Sequence, residues 1–270
     1  MLCTAQASRT ESCKLCQGRA RVQRWRRDGL RWARALWQGL APMIVDALIP
    51  ALNEEACLPG VLADLRDRGL RRVVVVDNGS TDHTAAVARE AGAEVVYCGR
   101  RGYGSACLRG MDHLHANPPE VLVFLDGDGA DDPDDLAAIL APIEAGTADL
   151  VIGSRVLGVA EPGALTPVQR FGNALSTVLL RGLFGVHFTD LGPFRAIRWE
   201  ALMALRMADP DFGWTVEMQA RAARQGLRCT EVPAAWRRRR AGKSKVSGTV
   251  KGSFQAGVKI LYTIGRERLR

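Results

Sequence analysis

From Met43 onward, short continuous apolar runs alternate with longer segments in which apolar residues recur at helical spacing. The apolar runs Ile44–Pro50, Arg72–Asp77, Glu94–Cys98, Val121–Asp126 and Asp149–Gly153 read as strands. Their near-unbroken Val, Ile and Leu content fits strands covered on both faces. Between them, Asn53–Arg68, Thr81–Ala91, Ser105–His115 and Pro133–Ala145 read as helices. Strands alternating with helices at this interval predict βαβ units, right-handed crossovers and a mostly parallel sheet flanked by helices, an α/β fold. After Ser154 the rhythm is weaker. It predicts helices over Gln169–Phe184, Arg198–Ala204 and Glu217–Gln225, a strand over Arg228–Val232, a basic loop and a last helix around Gln255–Ile264.

Candidate chemistry gathers where the strands end. Val121-Leu-Val-Phe-Leu125 runs into Asp126-Gly127-Asp128. Ligands of open α/β sheets collect outside the carboxyl ends of the strands. On an extended segment the two carboxylates would share a side, and Gly127 takes no room between them. Two hard oxygen ligands with open positions suit a divalent cation that also holds substrate phosphates. The plainer alternative is a strand end followed by acidic turn residues, since Asp132, Asp134 and Asp135 carry the charge on into a helix start. Other strand-end loops are Ile49–Glu55, Val76–Asp82, where Ser80 or Thr81 can cap the next helix, and the Gly-rich Gly99–Gly104.

Charge changes the picture less than it first suggests. The net charge is +8, but residues 1–42 hold nine Lys/Arg against two Asp/Glu, a net of +7. The rest holds 28 against 27, a net of +1. A nucleic-acid-binding body needs a basic stripe in the folded domain, and only Arg237–Lys245 offers one, so no nucleic-acid partner is expected. In the N-terminal segment Trp25, Trp32 and Trp37 alternate with arginines. That segment is either a basic amphipathic helix at a membrane surface or an extension without a fold of its own, Met43 being able to start translation itself.

Seven scattered cysteines make no disulfide framework, and Cys13-Lys-Leu-Cys16 has zinc-like spacing without a second pair. Reduced thiols fit a cytoplasmic protein. No apolar run approaches the ~18–20 residues that span a bilayer, so membrane contact would be peripheral, at its inner face. The four histidines form no metal or triad cluster, and the sequence is silent on oligomeric state.

Eight segments in order, IPALNEE, VVVVDNGSTD, GRRGYGSACLRG, FLDGDGADDP, ADLVIGSR, TDLGPFRA, FGWTVEMQARA and RRRRAGKSKVSG, resemble family 2 glycosyltransferases of the GT-A fold. Within that group the pattern is most similar to dolichol- and polyprenyl-phosphate sugar synthases, over about residues 44–250. The resemblance implies a GT-A nucleotide-sugar-binding half over residues 43–155. An acceptor-side half with the basic loop and C-terminal helix follows over residues 156–270, behind the 1–42 extension. It further implies that Pro50, Ala51 and Glu54 line the base of a nucleotide-sugar donor and that Asp77 accepts a hydrogen bond from it. Asp126 and Asp128 match the D-x-D that holds Mg²⁺ or Mn²⁺ against the diphosphate. Arg100 and Arg101 stand where the family often has Asn or Lys near ribose or sugar.

The implied activity is inverting, metal-dependent transfer of a sugar, with a UDP-sugar as leading donor and polyprenyl phosphate as leading acceptor. A soluble phosphorylated acceptor or a glycan hydroxyl is the alternative. Arginine forks grip phosphate bidentately and lysine acts as a point charge, which marks Arg240, Lys243 and Lys245 as cations for the donor diphosphate or an acceptor phosphate. Glu217 matches the acidic position of the acceptor-side helix, and Asp190 is the other candidate base. A hydroxyl acceptor needs one, whereas a phosphate monoester, largely anionic with a second pKa near ~6, needs only positioning. Two rivals lie outside this class. A haloacid-dehalogenase-type phosphatase shares the D-x-D-G pattern, but on its first strand. A non-catalytic nucleotide-sugar-binding module would keep the fold without turnover.

Overall fold

The structure, a computed structural model, describes residues 43–242 and 250–270. Its seven strands are β1 (Val45–Ala51), β2 (Arg72–Asp77), β3 (Glu94–Tyr97), β4 (Val121–Phe124), β5 (Leu150–Ser154), β6 (Arg195–Arg198) and β7 (Cys229–Pro233). They form one sheet in the order β3-β2-β1-β4-β6-β5-β7. The first four strands pair in parallel, with Ala51 opposite Asp77, Asp77 opposite Tyr97 and Leu48 opposite Phe124. Their carboxyl ends therefore open on one side of the molecule.

Alternating residues of each strand feed two cores. Leu48, Val74, Val76, Leu122 and Phe124 face one layer, and Ile49, Val75, Val123 and Leu125 face the other. The second layer is covered by α1 (Leu58–Leu65) and α4 (Leu136–Glu144), while α2 (Thr84–Glu90) packs on α1, β2 and β3. The first layer is covered by α3 (Tyr103–Leu114), α6 (Trp199–Leu205) and α7 (Trp214–Arg224). Two long helices, α5 (Pro167–Phe184) and α8 (Val250–Leu269), pack against each other and on α7. The α/β reading and the mostly parallel sheet agree with this architecture.

Two boundaries differ from expectation for physical reasons. The first helix begins at Leu58, because Asn53 takes a left-handed φ of 53° and Pro59 suits the first turn. The loop it vacates is tied to the next strand end: Asn53 N–H donates to Ser80 Oγ (2.9 Å), and Thr81 N–H donates to Asn53 Oδ1 (2.8 Å). The antiparallel strand β6 was unforeseen and lies inside the TDLGPFRA motif. It has only four residues and begins and ends on arginine, so it lacks the apolar signature of its neighbours. Its burial is tolerated because the guanidinium of Arg195, 1% exposed, donates to the carbonyls of Leu191, Gly192 and Thr215.

Candidate active site

β4 stops at Phe124, so Asp126 and Asp128 lie in the turn beyond it. Their proximity comes from that turn, correcting the expectation of an extended, pleated pair. Asp128 Oδ1 accepts the Ala130 N–H (2.9 Å), and the buried Asp131 accepts the Asp126 N–H through Oδ2 (2.9 Å). Gly129 has φ 76°, and a Cβ there would fall 2.8 Å from the Arg240 side chain, so only glycine lets the basic loop approach. Burial, and then the neighbouring Asp128 carboxylate, push the Asp126 carboxyl up to about 7 against a hydrogen bond from Tyr103. Burial and Asp126 push the Asp131 carboxyl well above its usual range. Three acids crowd within six residues, and a cation beside them would favour their charged forms.

One cation already stands there. Arg239 Nη1 donates to Asp128 Oδ2 (2.8 Å), and Nη2 donates to both oxygens of Glu54 (2.7 Å each). The four arginines fan out to different acids and carbonyls. Arg237 pairs with Asp132 at 2.7 Å, Arg238 donates to Pro162 O, and Arg240 pairs with Asp64 of α1. The sequence reading chose Arg240 for phosphate; in the structure Arg239 reaches the D-x-D, and Arg240 is turned to α1. Lys243 and Lys245 lie outside the described residues.

The other expected donor-side residues converge on this end of the sheet. Pro50 and Ala51 close β1, and Ala51 O accepts the Asn78 N–H (2.8 Å). Asp77, 7% exposed, closes β2, and its Oδ1 accepts the Ser80 N–H (2.8 Å). Arg100 and Arg101 are exposed on the following loop, and Arg101 lies over Gly79. Asn78, which the sequence reading did not single out, anchors that loop. Its amide donates to Arg100 O (2.7 Å), and its oxygen accepts the Gly102 N–H (2.8 Å).

On the far side, Asp190 is wholly buried, and Arg155 grips it through Nε (2.7 Å), Nη2 (2.6 Å) and the backbone N–H (2.8 Å). Arg155 also stacks on Trp236, 4.9 Å from the ring centre. Glu217 is wholly buried as well. One oxygen accepts the N–H groups of Ala208 (3.0 Å) and Asp209 (2.8 Å), and the other meets Arg221 and Arg266 at 2.8 Å each. All of these contacts are made within the protein, and Arg221 and Arg266 stand on the same oxygen. With Asp209 and Glu267 it fastens α8 to the body.

With this geometry in place, comparisons with known proteins decide the family. Residues 46–206 match the model of glycosyl transferase family 2. The chain belongs to that family. An uncharacterised glycosyltransferase of Mycobacterium tuberculosis is 42% identical over 214 residues, covering 78% of this chain and 94% of the relative. An undecaprenyl-phosphate mannosyltransferase of Micrococcus luteus is 33% identical, covering 80% and 93%. Glucosyl-3-phosphoglycerate synthase from Mycobacterium tuberculosis, solved with Mn²⁺, UDP-glucose and phosphoglyceric acid, superposes with a TM-score of 0.66 at 25% identity, covering 83% and 80%. The fold is thus GT-A, and the protein is a glycosyltransferase.

For this family 2 enzyme the donor set suits a divalent ion shared with a ligand rather than caged by protein. Among the described residues no group of three or more His, Cys, Asp or Glu side chains could hold a metal. Asp126 and Asp128 supply carboxylates, burial and the neighbouring Asp128 push the Asp126 carboxyl up to about 7, and a guanidinium stands in for a cation at Asp128. These residues fit a hard cation completed by phosphate oxygens. The transferase's Arg155, Arg239, Tyr103 and Asn78 were missed as individuals, although each lies in a motif the sequence offered.

Proposed function

We propose that this glycosyltransferase moves a sugar from a nucleoside-diphosphate sugar, with UDP-sugar leading, to a polyprenyl phosphate, inverting the anomeric centre. The donor lies across the ends of β1, β2 and β4, its base against Pro50, Ala51, Glu54 and Asp77, with Arg100 and Arg101 beside ribose or sugar. Asp126 and Asp128 hold Mg²⁺ or Mn²⁺, which when bound neutralises charge developing on the departing diphosphate. Arg239, released from Asp128, serves the same diphosphate as a bidentate fork, joined by Lys243 and Lys245.

One observation carries the acceptor assignment: both acids expected to act as base, Asp190 and Glu217, are buried and tied to arginines. An acceptor that arrives already anionic needs no proton removed, as a phosphate does and a sugar hydroxyl does not. The undecaprenyl-phosphate mannosyltransferase relative supports a lipid phosphate. The phosphoglyceric acid bound by the solved neighbour favours a second reading, a soluble phosphorylated acceptor. The test is a panel of nucleotide sugars with Mg²⁺ or Mn²⁺ against a short prenyl phosphate, a phosphorylated metabolite and a glycan. Metal-dependent release of nucleoside diphosphate stimulated by the prenyl phosphate is expected. Stimulation only by a glycan hydroxyl would overturn the reading, and release of inorganic phosphate would restore the phosphatase rival.

A further inference from the structure

Helix α5 carries large apolar residues on its outer face as well as in the core. Its buried residues are Ser176, Thr177 and Leu180, and Asn173 reaches the acceptor-side loop, donating to Thr189 O (3.0 Å) and accepting the Leu191 N–H (2.9 Å). Its outward residues are large and apolar, with Val168 60%, Phe171 70% and Val178 65% exposed. A helix that only seats on a protein core keeps a polar outer face, and this one does not. The neighbouring α8 repeats the feature, with Val258 half exposed and Tyr262 61% exposed. The helix is also preformed, capped by a Thr166/Gln169 capping box and by a left-handed Gly185. No ordering cost stands between it and a partner.

Charge identifies the occupant. α5 contains no Asp or Glu, and its Arg170 and Arg181 are exposed; the sole acid of α8, Glu267, is wholly buried. A second copy meeting the same face would oppose arginine to arginine with no carboxylate to answer them. Residues 1–42, at a net of +7, have the same sign. An apolar stripe edged only by cations matches an anionic bilayer surface, where rings and branched chains sink to the acyl boundary and arginines meet headgroups.

We infer that the outer face of α5, continued by α8, docks the enzyme on an anionic lipid surface while the inner face of the same helix holds the Thr189–Leu191 loop. This deepens the lipid-phosphate reading and rests on it for its purpose. It also moves the membrane contact expected of the N-terminal segment onto the folded body. No described helix is long and apolar enough to cross a bilayer, so the contact is peripheral.

The test is co-sedimentation of the full chain with phosphatidylglycerol/phosphatidylcholine vesicles and with phosphatidylcholine alone, neither containing polyprenyl phosphate. Wild type should partition onto the anionic vesicles, and the Val168→Asp/Phe171→Asp/Val178→Asp variant roughly tenfold or more weaker. An Arg170→Glu/Arg181→Glu variant checks the cationic edge and should also lose anionic vesicles. All five positions are exposed, so thermal unfolding should be unchanged. Three results overturn the inference: wild-type sedimentation of the aspartate variant, equal wild-type binding to neutral vesicles, or a wild-type dimer that the variant makes monomeric. Turnover on a short water-soluble prenyl phosphate is assayed separately. Vesicle binding without such turnover supports the docking face and sinks the acceptor reading.

Discussion

Two clusters of buried acids occupy opposite halves of the molecule and are treated in opposite ways. At the end of β4, burial and then Asp128 push the Asp126 carboxyl up to about 7, and burial and then Asp126 push Asp131 well above the usual range, although Arg155 and Arg239 oppose the shift at Asp126. Between α7 and α8, Asp209, Glu217 and Glu267 are wholly buried, more so than the partly exposed Asp126, and Arg221, Arg266 and Lys259 surround them. There Arg221 and Arg266 hold the Glu267 carboxyl below its ordinary range despite burial. Burial alone therefore does not mark a reactive carboxylate. An acid whose charge the protein leaves uncompensated belongs to a ligand, and one the protein compensates fully belongs to the fold.

The largest effect expected from this contrast is on the reactive side. Asp128→Ala should lower metal-dependent turnover by ~10²–10³-fold or more with little change in Tm, because it removes transition-state charge stabilisation and not packing. Steady-state release of nucleoside diphosphate measures it. The mirror experiment is Glu217→Ala, which takes from Arg221 and Arg266 one of the two carboxylates they share and leaves the Ala208 and Asp209 N–H groups without their acceptor. A loss of about 3–5 kcal/mol in denaturant unfolding is expected. Turnover reduced ~10²–10⁴-fold in a variant of unchanged stability would instead make Glu217 a general base and end the contrast.

The parallel half was legible because each of its strands repeats one simple signal. Val73–Val76 and Val121–Leu125 are apolar without interruption, and each runs directly into the acids that carry its chemistry. The acceptor half was less legible because its determinants are pairings between distant residues. Nothing near Glu217 in sequence announces Arg266, 49 residues on, and nothing near Asp128 announces Arg239, 111 residues on. β6 was hidden because a buried arginine at its start reads as surface until the carbonyls around it are seen. The membrane-facing stripe of α5 was invisible for the converse reason. Its apolar spacing is that of any core helix, and only the fold tells which face is turned out.

A smaller effect should come from Arg239, which the two regions' logic makes a mobile counter-ion rather than a fixed one. It neutralises Asp128 and Glu54 together, at 20% side-chain exposure. Removing it by Arg239→Ala should tighten Mn²⁺ alone several-fold by calorimetry, since metal no longer competes with a guanidinium. The same variant should weaken nucleoside diphosphate by roughly tenfold, the worth of one charge-assisted fork. If Mn²⁺ affinity fell along with the nucleotide, Arg239 would be fixed in place like Arg221.

The smallest effect is the most discriminating, because its sign differs between the clusters. A carboxyl raised in the folded state binds its proton more tightly there than in the unfolded chain. Asp126, at about 7, therefore lowers stability as pH rises through roughly 4 to 7, and the penalty is complete above that window. Glu267 runs the other way: its stabilisation is present above its unfolded value and lost as pH falls through the depressed folded one. In metal-free protein at pH 8, Asp126→Asn should raise Tm by ~2–4 °C, as expected for about 1 kcal/mol in a domain of this size. Towards pH 5 the gain should shrink, because wild-type Asp126 is then protonated as well. Mn²⁺ with nucleoside diphosphate should reverse the ranking, stabilising wild type alone. Glu267→Gln should lower Tm at pH 8 and converge on wild type only in acid. Scanning calorimetry of the three proteins across this range reads both signs in one series, and equal signs would dissolve the distinction between an acid kept for a ligand and an acid kept for the fold.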